Sequence, residues 1–399
     1  MDHMTNKPTR RGILASTLLA PSAAVLTSLV GCQESGSSAG NPASSWAFIG
    51  TYTRGGSKGI YRIAYDAQTG KMEAPELAAE TPGPSFLAIH PSGNFLYAVN
   101  ELSEFRGEPG GSVTAFKLDK ATGTLTEINA VSSKGGGPCH LMVSPSGKAV
   151  VIANYGAGST VSFRIGDDGA LSEAACVIQH SGSGPNDRRQ KGPHSHGVAM
   201  SSVAGQQLVH VADLGIDQIL HYRLDDEGVL HPWETQASVS VARGAGPRHV
   251  IVHPNGRLAF VINELDSTMT SFTISREDGA WTLAGTAPTL PEGFSGESTT
   301  AELALHPNGR VLYGSNRGHD SICVFQLEGD DGKLVPVGHV STEGKTPRCF
   351  AVHPEGKILI AANQGSGNLT AFLLQADKGM PTYTGHEVAV DMPVCVVFV

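Results

Sequence analysis

Short apolar runs alternate with polar turns along most of the chain, and one pattern recurs at nearly constant spacing. It reads HPSGNFLYAVNEL at 90–102, HPNGRLAFVINEL at 253–265, HPNGRVLYGSNRG at 306–318 and HPEGKILIAANQG at 353–365. Aligned on the residue that closes each apolar run, the copies end at Gly50, Asn100, Asn154, Asp213, Asn263, Asn316 and Asn363. The spacings are 50, 54, 59, 50, 53 and 47 residues, so the sequence predicts seven structural repeats.

Each repeat contains the same set of predicted strands. A second run follows at a fixed distance and alternates apolar and polar residues, as in SVTAFKLD and DSICVFQLE, which is typical of a half-buried strand. A polar turn and a weaker strand come next. A further strand precedes each repeat and begins at a proline or its equivalent, as in GPRHVIVHP. The pattern predicts four antiparallel strands per repeat.

These repeats predict an all-β fold, a seven-bladed β-propeller. Only six of the preceding strands are internal, and the C-terminal stretch MPVCVVFV (392–399) supplies the seventh. We therefore expect the C-terminal strand to join the N-terminal blade and close the ring, which removes open sheet edges. A pair of β-sandwiches is the alternative, but seven near-equal periods do not favour it.

The N-terminus indicates export. Arg10 and Arg11 precede an Ala/Leu-rich apolar run that ends in LVGC, which resembles a lipoprotein box. We expect residues 1–31 to be a twin-arginine export signal, Cys32 to carry lipid, and residues 32–45 to form a flexible tether. A Sec signal or an uncleaved anchor is the alternative. The propeller would then span residues 46–399, held at a bacterial membrane surface, periplasmic or at the cell surface, by its lipid alone.

The amino-acid composition limits the classes of partner that the protein is expected to bind. The chain has 399 residues, 49 Gly and 23 Pro, with 40% apolar residues, which suits a folded, turn-rich protein. Its net charge of −9 gives no basic footprint, so we expect no nucleic-acid partner. Without Cys32 five cysteines remain, with no close CxxC pair, so neither a zinc site nor a full disulfide framework is predicted.

The candidate chemistry lies where the strands meet the channel. In a propeller, the first strand of a blade starts and the second ends on the same face, so both positions converge at one mouth. The first-strand positions are Phe86, His140, His194, His196, Arg248, His249, Glu302, Arg348 and Cys349. The second-strand positions are Glu101, Tyr155, Leu214, Glu264, Arg317 and Gln364. Charged groups rarely line a channel without partners or a ligand, so either a binding site or inert ion pairs across the channel are expected.

The motifs PCHL, PHSH, ADLG, GPRHVIVHPNGR, VINEL, GSNR and AANQ resemble those of the seven-bladed propeller lactonases. That family includes bacterial 6-phosphogluconolactonase and a fungal carboxymuconate-cyclising enzyme, and the resemblance runs from about Phe48 to Phe398. It implies a catalytic histidine, a glutamate and two arginines, which fall on His196, Arg248, Glu264 and Arg317. Two departures are TTAE at 299–302, where a serine more often precedes the AE pair, and the export signal.

Lactone hydrolysis needs a base for water, cations for the developing oxyanion, and hydrogen bonds that hold the polyol. We expect His196 or Glu264 to be the base, and both remain open. Arg248 and Arg317 would stabilise the oxyanion or bind a substrate carboxylate or phosphate. The predicted substrate-binding residues are Glu101, His140, His194, His249, Glu302 and Gln364.

The remaining sequence features say less about the function. The HP histidines His90, His253, His306 and His353 are expected to be turn structure at the far end of the first strand. No cofactor or metal is expected, because arginines interrupt the acidic positions and give no cage for a hard cation. The basic segment SGSGPNDRRQKGPHSH (181–196) is either a substrate-selecting loop over the mouth or a solvated surface loop.

Two functions therefore remain. One is a metal-independent, 6-phosphogluconolactonase-like hydrolase of sugar lactones. An exported protein would act on an unphosphorylated aldonolactone rather than a phosphorylated one. The other is a non-catalytic propeller that binds a ligand or protein at the cell surface, because propellers host many functions.

Overall fold

The computed structural model describes residues 45–375 and 379–399, and within these ranges every regular element is a β-strand. Blade 1 contains β1 (Ser45–Thr51), β2 (Gly59–Tyr65) and β3 (Glu76–Glu80). Blade 2 contains β4 (Pro84–Ile89), β5 (Phe95–Asn100), the small hairpin β6 (Glu104–Phe105) and β7 (Glu108–Pro109), then β8 (Ser112–Asp119) and β9 (Thr124–Ser132). Blade 3 contains β10 (Pro138–Val143), β11 (Ala149–Asn154), β12 (Ser159–Ile165) and β13 (Leu171–Gln179).

Blade 4 contains β14 (Ser195–Val203), β15 (Gln206–Asp213), β16 (Gln218–Leu224), β17 (Leu230–Pro232) and β18 (Ser238–Ser240). Blade 5 contains β19 (Pro247–Val252), β20 (Leu258–Asn263), β21 (Thr268–Ile274) and β22 (Trp281–Pro288). Blade 6 contains β23 (Thr299–Leu305), β24 (Val311–Arg317), β25 (Ser321–Glu328) and β26 (Lys333–Ser341). Blade 7 contains β27 (Pro347–Val352), β28 (Ile358–Asn363), β29 (Asn368–Leu374) and β30 (Pro381–Ala389), and β31 (Pro393–Phe398) ends the chain.

The ring closes as predicted. Strand β31 pairs antiparallel with β1 and completes blade 1, with Phe48 opposite Val397 and Gly50 opposite Cys395. The seven first strands, β31, β4, β10, β14, β19, β23 and β27, contact one another in an unbroken circle. The predicted seven-bladed β-propeller and its closure by the C-terminal strand are confirmed.

Two blades depart from the predicted four strands. In blade 4 the outer position is split, because β17 and β18 both pair with β16 and neither continues into the other. In blade 2 the hairpin β6–β7 is inserted between the second and third strands. No helix in the described ranges has the length and apolarity to cross a membrane. The expected export signal, the lipidated Cys32 and the tether up to Ser44 lie outside the described residues.

Apolar side chains fill the space between adjacent blades. One cluster combines Tyr97 and Val113 of blade 2 with Ile152 and Phe163 of blade 3, all fully buried. Equivalent clusters join the other blades, including blade 7 to blade 1. Because each sheet buries an apolar face against its neighbour, the alternating pattern of the sequence becomes a continuous ring-shaped core.

The asparagines that close the second strands hold this scaffold together. Asn100 donates to the Pro82 carbonyl at 2.7 Å and accepts from Thr114 at 2.7 Å. Asn316 and Asn363 likewise donate to the carbonyls of Thr289 and Thr342 in the preceding connection. These side chains are buried and their amide N–H groups bond to the scaffold, although Asn363 Oδ1 has no hydrogen-bond partner among the described residues. The residues that follow them therefore supply the polar groups of the pocket.

The HP histidines tie neighbouring blades on the opposite face. The Nε2 atoms of His90, His253 and His306 lie 2.9–3.2 Å from glycine carbonyl oxygens in the next blade's turn. In the same rings Nδ1 accepts a backbone N–H from two residues later, so Nε2 carries the proton. The ring of His353 instead packs edge-on against Tyr65 of blade 1. These contacts agree with a structural role.

Candidate active site at the channel mouth

A β-bulge recurs at the start of the first strand in all seven blades. The pairing of first and second strands skips a residue after Pro84, Pro138, Ser195, Pro247, Thr300, Pro347 and Pro393. A bulge re-aims the side chain of the extra residue. The bulged residues are Ser85, Cys139, His196, Arg248, Ala301 with Glu302, Arg348 and Val394. The bulges therefore place His196, Arg248 and Arg348 at equivalent positions around the mouth.

Glu264 is the centre of a buried ion cluster. Its Oε2 atom lies 3.1 Å from Arg317 Nη2, 3.3 Å from Arg248 Nε and 3.9 Å from His196 Nε2. Its Oε1 atom accepts a hydrogen bond from Arg189 Nη2 at 2.6 Å. The Glu264 side chain is only 6% exposed. Four side chains from three segments thus meet at one carboxylate.

The protonation state of Glu264 follows from these neighbours. Burial alone would raise the pKa of its carboxyl group, because the charged form loses hydration. Arg317, Arg248 and Arg189 outweigh that penalty and hold the pKa of Glu264 at about 2. Burial in turn lowers the pKa of Arg317 to about 10, which still leaves the guanidinium charged at neutral pH. Glu264 is therefore a carboxylate at neutral pH with little tendency to accept a proton.

His196, in contrast to the charged Glu264, is neutral near pH 7. Burial, followed by the charge of Arg248, holds the pKa of His196 well below its ordinary value, so its imidazole is neutral near pH 7. Its Nδ1 atom lies 3.7 Å from the Cys139 sulfur, and the Cys139 thiol contacts the His196 carbonyl oxygen at 3.4 Å. Burial raises the pKa of Cys139, so this group stays a thiol rather than a thiolate nucleophile. A neutral imidazole therefore presents Nε2 toward Glu264.

His249 and Glu302 form a second buried pair. His249 Nδ1 lies 2.8 Å from Glu302 Oε1, and Arg248 Nη1 lies 3.1 Å from His249 Nε2. Arg248 Nη1 also donates to the Ala301 carbonyl at 2.6 Å. Burial raises the pKa of Glu302 and lowers that of His249, which disfavours charge on both. The ring of His140 packs 4.8 Å from that of His249. This pair fixes the side of Arg248 that faces away from Glu264.

Asp213 replaces the usual asparagine in blade 4 and shapes the PHSH segment. Its Oδ1 atom accepts from the backbone N–H groups of His194 and Gly215, and its Oδ2 atom lies 2.6 Å from His180 Nδ1. The His194 ring stacks on Tyr155 at 4.5 Å and points Nδ1 at the Tyr155 carbonyl, 2.9 Å away. The segment that carries His196 is thus held by a buried acid.

Tyr52, Glu101 and Arg348 occupy the side of the mouth formed by blades 1, 2 and 7. The Tyr52 hydroxyl donates to Glu101 at 2.9 Å, and the Arg348 guanidinium lies 5.4 Å from the centre of the Tyr52 ring. Burial raises the pKa of Tyr52, so its hydroxyl keeps its proton. Gln364 follows β28, and its buried Oε1 atom has no hydrogen-bond partner among the described residues.

The structure brings the predicted residues His196, Arg248 and Arg317 to within 4 Å of Glu264. His249 and Glu302 adjoin Arg248. The His140 ring packs against that of His249, and the His194 ring stacks on Tyr155, which contacts His196. Glu101 instead bonds to Tyr52 beside Arg348, and the Gln364 side chain makes no hydrogen bond or ion pair with the cluster within the described residues. The catalytic and binding roles of all these residues stay predictions.

Sequence analysis placed Tyr155 and Arg348 at the mouth without a specific role, and it did not single out Arg189 or Tyr52. Arg189 lies in the basic segment 181–196 and reaches Glu264 and the Tyr155 hydroxyl, which agrees with a loop over the mouth. Its side chain is 38% exposed, and the neighbouring Gln190 is buried and bonded to Leu214 and Asp217. The signal for Arg348 was present, since TPRC repeats the position of GPRH in blade 7.

Several polar atoms of the mouth make no hydrogen bond within the described part of the protein, although Arg248 Nε is in ion-pair contact with Glu264. Ser85 Oγ, Gln364 Oε1, Arg248 Nε and Arg317 Nε are buried without a hydrogen bond inside the described ranges. Buried polar atoms are nearly always satisfied, so such a set marks a place where water or a ligand binds. No group of three or more His, Cys, Asp or Glu side chains that could hold a metal ion occurs among residues 45–375 and 379–399.

Comparison with known proteins agrees with this architecture. The family model for the lactonase seven-bladed β-propeller matches residues 46–398. Among curated relatives, the 6-phosphogluconolactonase of Bacillus subtilis is 35% identical over 303 residues, which cover 76% of this chain and 83% of that protein.

Two solved structures are similar over most of their length. The periplasmic gluconolactonase of Pseudomonas aeruginosa superimposes with a TM-score of 0.83 at 30% identity, covering 89% of this chain and 99% of that one. A Bacteroides fragilis protein described as a candidate 6-phosphogluconolactonase has a TM-score of 0.81 at 34% identity, covering 90% and 98%. This chain belongs to the seven-bladed β-propeller lactonase family.

Proposed function

We propose that this protein hydrolyses a sugar lactone, an unphosphorylated aldonolactone, by attack of water on the ring ester. The observation that carries the proposal is the neutral, buried His196 beside a carboxylate that three guanidiniums hold in place. Such a group offers a base and fixed positive charge at one point, which is what ester hydrolysis requires.

His196 suits the role of base better than Glu264. With its pKa at about 2 and both oxygens engaged by arginines, Glu264 would gain little by taking a proton from water. The Nε2 atom of neutral His196 can accept that proton. The imidazolium then formed would lie 3.9 Å from the Glu264 carboxylate, which stabilises its charge. Glu264 would therefore orient Arg248 and Arg317 and support the protonated histidine.

The remaining polar side chains suit a polyol. Glu101 can accept hydrogen bonds from sugar hydroxyls while it holds the Tyr52 hydroxyl, and Gln364 Oε1 can accept another. Arg189 closes over Glu264 from a partly exposed loop, so it would restrict access of bulk water to the cluster. These assignments follow from the chemistry of the donors and acceptors.

The test is the rate of δ-gluconolactone opening by purified mature protein, measured above the spontaneous background at pH 6.5–7. We expect a clear enzymatic excess, and a higher kcat/KM for δ-gluconolactone than for its 6-phosphate. No excess on any lactone of a panel would remove the hydrolase and leave the ligand-binding propeller. Preference for the 6-phosphate would overturn the proposed substrate but not the activity.

We further propose that the protein is exported through its twin-arginine signal and anchored by lipid on Cys32. The sequence TRRGIL and the LVGC box support this, as does the similarity to a gluconolactonase described as periplasmic. A Cys32→Ser variant should move from the membrane fraction to the soluble exported fraction. Equal membrane association of both forms would contradict lipid attachment at Cys32.

A further inference from the structure

Three guanidinium groups at the channel mouth bind one carboxylate. Arg189, Arg248 and Arg317 all contact Glu264. Arg248 also donates a hydrogen bond to the Ala301 carbonyl oxygen at 2.6 Å, and Arg317 donates one to the Thr300 carbonyl oxygen at 2.7 Å. To bind a substrate oxygen strongly, any of these three would have to weaken an existing ion pair.

Arg348 is different. It occupies the bulge of β27, the position that corresponds to Arg248 in β19, and its side chain is partly buried. Within the described ranges it makes no hydrogen bond and no ion pair. Its guanidinium lies 5.4 Å from the centre of the Tyr52 ring, and that of Arg54 lies 4.3 Å from the same ring. Two guanidiniums that form no ion pair within 4 Å in the described ranges therefore converge on one tyrosine, and Arg348 is attracted only at longer range to the carboxylates of Glu101 and Glu264.

Unpartnered polar atoms lie on the same side of the mouth. Ser85 occupies the bulge of blade 2, next to blade 1, and its Oγ atom is buried without a hydrogen bond. Gln364, in the same blade as Arg348, leaves Oε1 without a partner. The Arg348 guanidinium keeps its hydrogen-bond donors unused, and buried acceptor atoms beside it lack partners, so together they point to a ligand that carries oxygen atoms.

We propose that Arg348 binds the acyl oxygen of the lactone, first as the carbonyl and then as the carboxylate of the aldonate product. This inference rests on the proposed function. When the water oxygen bonds to the carbonyl carbon, the carbonyl π electrons move to the acyl oxygen and Arg348 donates hydrogen bonds to it. The tetrahedral intermediate then collapses and breaks the bond between the acyl carbon and the ring oxygen, and the ring oxygen takes the proton held by His196. The resulting hydroxy acid ionises, and its carboxylate stays paired with Arg348 until release.

The experiment measures binding of sodium gluconate by calorimetry, independently of turnover, to the wild type, Arg348→Met and Arg348→Lys. Arg164→Met is the matched control, because Arg164 is exposed on β12 and pairs with the exposed Glu227. We expect gluconate affinity to fall at least tenfold in Arg348→Met, to fall less in Arg348→Lys, and to stay unchanged in the control. In δ-gluconolactone opening, kcat of Arg348→Met should fall about 10²–10³-fold, as when one oxyanion donor is removed.

The outcomes separate this inference from the proposed function. If the wild type opens the lactone, and Arg348→Met keeps the wild-type gluconate affinity and kcat, the role of Arg348 is overturned and the proposed hydrolase stands. Failure of the wild type to bind gluconate would overturn it as well. A wild type that binds gluconate through Arg348 but opens no lactone would retain the carboxylate site and remove the hydrolase. Thermal melts of Arg348→Met and Arg348→Lys against wild type separate loss of binding from loss of fold.

Discussion

Replacing Glu264 with glutamine is expected to lower kcat/KM for δ-gluconolactone at least about 10³-fold and to destabilise the fold by about 3–5 kcal/mol. The glutamine keeps the size of the side chain but removes the negative charge that Arg189, Arg248 and Arg317 share. Three buried or half-buried cations would then face one another without compensation. Both effects are large because the carboxylate is buried, where water screens charge poorly.

Steady-state kinetics and denaturant unfolding would measure the two effects separately. The control is Glu227→Gln, since Glu227 is 77% exposed and pairs with Arg164 on the surface. Exposed ion pairs contribute little, so we expect its stability to change by less than about 1 kcal/mol with full activity. A Glu264→Gln protein with wild-type stability and more than a tenth of the wild-type activity would show that the cluster is not what organises this site.

Replacing His196 with asparagine should lower kcat by about 10²–10⁴-fold while KM changes little, because the base is removed and the binding groups remain. Burial holds the pKa of His196 well below its ordinary value, so the histidine stays neutral through pH 6.5–8. The wild-type rate above background should therefore be flat over that range. It should decline only on the acid side, as His196 takes up a proton and can no longer accept one from water.

The pH profile distinguishes this role from a structural one. In His196→Asn the acid-side decline should disappear from the residual rate, whereas loss of fold would lower the amplitude and keep the profile. His231→Asn serves as control, because His231 is 43% exposed and contacts Asp225 on the outer part of blade 4. If His196→Asn keeps the wild-type profile and rate, the base must be sought elsewhere.

The two active-site predictions concern residues that sequence analysis had placed together, and the reason it could do so is geometric. Antiparallel pairing puts Pro247 opposite Asn263 and Pro347 opposite Asn363, so the start of a first strand always meets the end of the second. Period, strand order and ring closure fix that relation before any side chain is considered. His196, Arg248, Glu264 and Arg317 could therefore be expected at one mouth from their positions in the repeat alone.

The position of Arg189 could not be predicted from the repeat. It belongs to no repeat, and its approach to Glu264 depends on how segment 181–192 folds back, which the buried Gln190 and its bonds to Leu214 and Asp217 determine. The split outer strand of blade 4 is similar, since β17 and β18 carry no periodic signal long enough to predict. Irregular segments follow long-range contacts rather than local pattern.

By itself, the sequence determined the number of blades, their strand order, the closing strand and the list of residues that face the mouth. It could do this because alternating polarity and period are local properties that one blade after another repeats. Only the tertiary structure decided how the charges pair, that Glu264 binds three arginines while Arg348 forms no ion pair within the described residues, and that burial keeps His196 and His249 neutral. Those outcomes depend on burial and on distances of a few ångströms between segments far apart in the chain, and electrostatic energies change steeply over that range.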